Sequence, residues 1–89
     1  MHNETIYKDA IIVFGPVLQK EKMIEECAEL IKALQDCKQH RPHNVPEEIA
    51  DVEIMCAQMK LIYPGVEEIK KKKIERLERL TKDKKMIGK

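Results

Sequence analysis

Residues Asn44–Met59 read NVPEEIADVEIMCAQM, and the placement of the acids in this stretch decides how the chain folds. At about 100° per residue, Val52, Met55, Cys56, Met59 and Ile62 form one apolar stripe of a helix, and Glu48 falls in its middle. A carboxylate aimed at a core is costly unless something positive meets it. The far side of the same helix carries a second apolar line, Ala50, Ile54, Ala57 and Leu61.

Working outward, HRPHNVP (residues 40–46) is the one clear loop, and Asn44 is placed to cap the following helix in an N-x-x-E arrangement with Glu47. Upstream, Val17 to about Gln39 predicts a long helix with Ile24, Cys27, Leu30, Ile31 and Leu34 as its apolar stripe. Before it, a segment from about Glu4 to Phe14 ends at Gly15-Pro16, where Gly suits a C-terminal cap and Pro a first helical position. Downstream, Pro64-Gly65 closes the third helix. Helical spacing then resumes through Val66, Ile69, Ile74 or Lys73, Leu77 and Leu80, with a tail from about Lys82 expected to fray.

Short connections between helices favour antiparallel neighbours, so the expected fold is all-α, an antiparallel four-helix bundle in a single domain over residues 1–89. A chain of 89 residues buries little surface, and one helix with two apolar faces cannot cover both alone. The bundle is therefore expected to be completed by homo-oligomerisation, the Ala50/Ile54/Ala57/Leu61 line meeting another copy.

The net charge of +1 offers no global field for nucleic acid or an anionic membrane. No apolar run approaches the roughly 18 residues of a membrane span and the first residues lack a signal-peptide layout, so a cytoplasmic location is expected. Cys27, Cys37 and Cys56 lie within or beside helical patterns and read as reduced thiols.

Glu48 and Asp51 stand one helical turn apart, and EECAE (residues 25–29) repeats that spacing in Glu26 and Glu29, with Glu25 alongside. Exposed glutamates and acids near a helix start are ordinary, so one such pair would carry little. Two matched pairs on consecutive antiparallel helices carry more. If the helices face each other the carboxylates converge, and unit charges about 4 Å apart repel by about 4 kcal/mol at an effective dielectric near 20. The donors are all oxygen, which suits a hard ion such as Mg²⁺, with Mn²⁺ as a substitute, better than zinc.

EECAELIKAL, followed after a spacer by EEIADVEIM, resembles the E-E-x-x-E … E-x-x-D signature of the MazG-type, all-α nucleoside triphosphate pyrophosphohydrolases, over about residues 14 to 80. The resemblance implies a helical bundle completed as a dimer or tetramer, and Mg²⁺-dependent hydrolysis of a (d)NTP to the monophosphate and pyrophosphate in nucleotide-pool control. It assigns Glu26, Glu29, Glu48 and Asp51 to the metal, and leaves Glu25 and Glu29 as candidates for activating the water. It also matches Lys73 and Arg76, one turn apart in KKKKIERLERL, to a basic element that holds phosphates.

Two other features bear on function. The lysine run is interleaved with acids and has no stacking aromatics, which argues against nucleic acid. Cys37-x-x-His40-x-x-His43 has the spacing of no common zinc site. The competing function is a non-catalytic helical module whose purpose is self-association or partner binding.

Overall fold

The helix breaks fall where backbone chemistry demands them. In the computed structural model, which describes residues 2–87 and the side chains of residues 3–85, α1 spans His2–Phe14, α2 Pro16–Lys38, α3 Val45–Ile62 and α4 Val66–Ile87. The fold is all-helical, with no strand among the described residues. No helix among them is long and apolar enough to cross a membrane. Gly15 has φ 87° and ψ 150°, a backbone region open essentially to glycine alone, which lets α1 stop and α2 start without an intervening loop.

At the other end of α2, Arg41 N–H donates to Asp36 O at 2.8 Å and His40 N–H to Cys37 O at 3.0 Å. This is the paired reversal that closes many helices, usually built on glycine. Here His40 holds the left-handed position at φ 60°. The Asp36 carboxylate secures the same corner, 3.1 Å from Lys32 Nζ and 3.0 Å from an Arg41 guanidinium nitrogen, and the hydrogen bond from Lys32 leads in drawing its pKa below the usual carboxylate value.

α2 and α3 run antiparallel and form the main packing interface, with α1 laid against both. Gln19 bonds to Gln58 across that interface, and Glu26 lies beside Asp51. Seven residues separate Gln19 from Glu26 and Asp51 from Gln58, so the two helices meet in a two-turn register. At the far end, Lys20 Nζ sits 5.1 Å from the Tyr63 ring centroid.

What lies inside is unusual. Among the described residues the buried apolar ones are Ala33 and Met55, and they share the interior with Gln19, Glu26, Glu48 and Gln58. The expected stripe of α2 is corrected accordingly: Ile24, Ile31 and Leu34 are exposed, Cys27 and Leu30 are half-buried, and the face toward α3 is Gln19, Glu26 and Ala33. Helix α2 has two faces, and the more polar one is turned inward. On α3 the stripe around Met55 is buried or half-buried as expected, while Ala50, Ile54 and Leu61 on the second line are exposed.

The four-helix bundle is not closed within one chain. α4 runs to Ile87 and packs along none of the other helices. An ion pair near its start, Lys60 Nζ to Glu67 Oε1 at 2.7 Å, ties it to the end of α3. Its stripe of Ile69, Ile74, Leu77 and Leu80 is open to solvent. The radius of gyration, 16.8 Å, exceeds the roughly 12 Å of a compact domain of this length.

The strained His40 corner can be relieved. His40→Gly is expected to stabilise the protein by about 0.5–1 kcal/mol, because the left-handed position suits glycine and the cost falls on a single residue. Thermal unfolding followed by circular dichroism measures this, and an unchanged or lower midpoint would show that His40 carries no such strain.

Candidate metal centre

The centre is built from the α2–α3 interface. Glu26, Glu48 and Asp51 each bring a carboxylate oxygen within 4.8 Å of the others, and Glu25, Glu26 and Glu29 form a second such group. Glu26 belongs to both groups, so all five acids singled out in the sequence meet along one seam. Glu26 and Glu48 are 6% and 7% exposed, Asp51 is half-buried, and Glu25 and Glu29 are on the open side. The spacing explains the pattern, since each i, i+3 pair puts one carboxylate on the interface and its neighbour a turn away at the rim.

Each buried carboxylate has one oxygen partnered and one not. Lys22 Nζ lies 3.3 Å from Glu26 Oε1 and 3.8 Å from Glu25 Oε1, and the hydrogen bond to Glu26 leads in raising the lysine pKa. Asn44 Nδ2 donates to Glu48 Oε1 at 2.8 Å and to Glu47 Oε2 at 3.3 Å. The Oε2 atoms of Glu26 and Glu48 are buried and make no hydrogen bond. Buried polar atoms are nearly always partnered, so these two are the exceptions that need a cause.

Energetics narrow the cause. Two unit charges 4.8 Å apart repel by about 3.5 kcal/mol at an effective dielectric near 20, and three mutual pairs exist within the Glu26/Glu48/Asp51 trio. The total, roughly 10 kcal/mol, is as large as the whole stability of a small domain. Lys22 offsets this repulsion on the Glu26 side alone, and a further cation among the oxygens would relieve the rest. The donor set fits a hard divalent ion: every ligand atom is a carboxylate oxygen, two of them are buried without partners, and no thiol or imidazole intrudes.

Glu29 feels the crowding from outside. Partial desolvation, followed by repulsion from Glu48, holds its carboxyl above the ordinary value of 4.5. A shallow cleft of about 200 Å³ lined by Glu29, Lys32, Ala33, Asp36, Asn44 and Glu48 opens beside it. On the other side of Glu25, Phe14, Leu18 and Met55 wall a larger groove of about 460 Å³, with Gln19, Lys22 and Gln58 also in its lining.

Sequence reasoning missed Asn44's role at the centre, Lys22, and the Gln19–Gln58 pair. Asn44 precedes α3 as expected, yet its side chain caps no backbone N–H. His43 Nδ1 accepts from Val45 N–H at 3.3 Å instead, and the Asn44 amide is drawn to Glu48. The signal was present: Asn44 and Lys22 stand four residues before Glu48 and Glu26, the same spacing on each helix. Lys73 and Arg76 are not brought to this centre, because they lie on α4, which does not pack on α2 or α3. No family model, no curated protein and no solved structure matches the chain.

Two outcomes follow for the metal-free protein. Asn44→Ala strips the donor from Glu48 Oε1 and is expected to lower stability by about 1–2 kcal/mol in denaturant unfolding. For Glu29 the raised pKa means that the folded state binds its proton more tightly than the unfolded chain does. The carboxyl therefore costs stability as pH rises above 4.5 and through its folded value. Glu29→Gln should thus be more stable than the parent by a margin that grows from pH 4 to pH 7, and a margin that shrinks over that range would contradict the assignment.

Proposed function

We propose that the chain is a cytoplasmic, homo-oligomeric, Mg²⁺-dependent nucleotide pyrophosphohydrolase of the MazG type, cleaving a (d)NTP to the monophosphate and pyrophosphate in nucleotide-pool control. The observation that supports this most is the pair of buried, unpartnered Glu26 and Glu48 oxygens within one cluster of five acids. Acids that served only solubility would lie in water.

In this reading Glu26, Glu29, Glu48 and Asp51 hold Mg²⁺, or Mn²⁺ in its place. A bound ion of this kind supplies charge neutralisation at the phosphates and a more acidic water. Glu25 and Glu29, on the open side, are the residues able to take the proton of that water. Asn44 and Lys22 hold the two buried carboxylates in their rotamers through Oε1, leaving Oε2 of each directed to the ligand. The Phe14/Leu18/Met55 groove gives a base an apolar wall, with the Gln19 and Gln58 amides beside it for its polar edge.

A second function, self-association without catalysis, is favoured by one observation: the large exposed apolar side chains on every helix. Mg²⁺ separates the two. A site ion present at a hundredfold excess over its Kd adds about 2.7 kcal/mol, enough to raise the Tm of a small domain by more than about 10 °C. The enzyme is expected to show that shift with Mg²⁺ or Mn²⁺ and to release pyrophosphate from at least one member of a (d)NTP panel. Glu48→Gln and Asp51→Asn are expected to abolish both responses, and Glu48→Gln to unfold at a higher temperature than the metal-free parent because repulsion is relieved. Absence of a response to either ion and of pyrophosphate release would leave the self-association module; full activity in Glu48→Gln would remove that residue from the mechanism.

A further inference from the structure

We propose that α4 of one copy docks on the α3 face of a second copy formed by exposed Ala50, Ile54 and Leu61 with half-buried Ala57 between them, and that the exchange is reciprocal, each chain covering the other's α3 with its own fourth helix. The proposal rests on the assembly suggested above and adds its geometry.

Three observations support it. First, the exposed area is too large for a stable single chain: 7543 Å² where a folded monomer of 10.4 kDa exposes about 5,400 Å². The surplus of roughly 2,000 Å² comfortably exceeds the roughly 800 Å² that each partner gives to a stable interface. Most helical stability in proteins comes from packing of an apolar face, and the face of α4 has nothing to lie on within its own chain.

Second, the two faces fit in shape. The α3 line alternates Ala50 and Ala57 with Ile54 and Leu61, so small residues seven apart leave room for the larger side chains of a neighbouring helix. On α4, Val66, Ile69, Leu77 and Leu80 form one stripe at helical spacing, and Ile69, Leu77 and Leu80 are more than half exposed. Within its own chain α4 does not reach that α3 face. The two faces can be satisfied together only between chains, and reciprocal exchange about a twofold axis satisfies both at once.

Third, the charges fit. Lys73 stands in the middle of the α4 stripe, with Lys70 at its edge, while the acids of α4, Glu67, Glu68, Glu75 and Glu78, lie on the other side. Pairing two α4 stripes would bring lysines together with no carboxylate between them. The α3 line is flanked instead by Glu47 and Glu53, both exposed, which Lys73 can reach by extending its stem over the apolar surface.

The test reads assembly alone, with no metal or nucleotide present. Leu77→Asp places a charge in the α4 stripe and Ile54→Asp one in the α3 line. Sedimentation velocity at about 50 µM is expected to show a dimer or larger species for the parent and a monomer for each variant, with helical circular dichroism retained. Mixing the two variants in equal amounts should restore a dimer, because the unaltered α4 of one fits the unaltered α3 of the other. If aspartate unfolds either chain, Leu77→Ala and Ile54→Ala replace it, each expected to weaken self-association about tenfold and the mixture to recover part of the loss. A monomeric parent would overturn assembly itself, whereas a dimeric parent whose variants stay dimeric, or whose mixture stays monomeric, would overturn this docking while leaving assembly in place.

Discussion

The structure depends on two carboxylates, Glu26 and Glu48, facing each other across a helix pair whose fully buried residues are mostly polar. Each is held by one donor four residues earlier, Lys22 and Asn44, and each keeps one oxygen without a partner. A hydrophobic core can form in many registers, since contact between greasy surfaces is not directional. Paired acids and a paired Gln19 and Gln58 tolerate very few, because every shift along the helix leaves a buried polar group unmatched. The register of α2 on α3 is therefore set by polar groups, and apolar burial does little of the specifying.

This inverts the usual division between inside and surface. The large aliphatic residues of α2 and α4, such as Ile24, Ile31, Ile69 and Leu77, face outward, while Gln19, Glu26, Glu48 and Gln58 face inward. In the reading proposed above, stability would draw on two external sources: a cation that offsets the repulsion among the acids, and a second copy that covers the aliphatic surface. Both act by binding the folded state and not the unfolded one, so both make apparent stability depend on concentration.

The helix breaks were legible in the sequence because they rest on local backbone chemistry. Gly15-Pro16 and Pro64-Gly65 punctuate the chain whatever surrounds them. The acids were legible for a similar reason, since spacing of three residues puts Glu26 with Glu29, and Glu48 with Asp51, on one side of any helix. Glu48 in the middle of an apolar stripe was the clearest sign, and the structure buries it. The inward face of α2 was not legible: Ile24, Ile31 and Leu34 outweigh Gln19, Glu26 and Ala33 in hydropathy, so a rule that places greasy residues inside selects the wrong side.

By itself the sequence determined an all-α chain, its four segments, and the sharing of one helical face by each pair of acids, because these follow from propensity, punctuation and a 3.6-residue period. Tertiary structure alone decided that Glu26 meets Glu48 and Asp51, that Asn44 serves a carboxylate while His43 takes the backbone, and that α4 leaves the body of the chain. The physical reason is that a helix with two usable faces has no intrinsic inside. Which face is buried depends on what the neighbouring helix offers, and that information is spread over residues far apart in the chain.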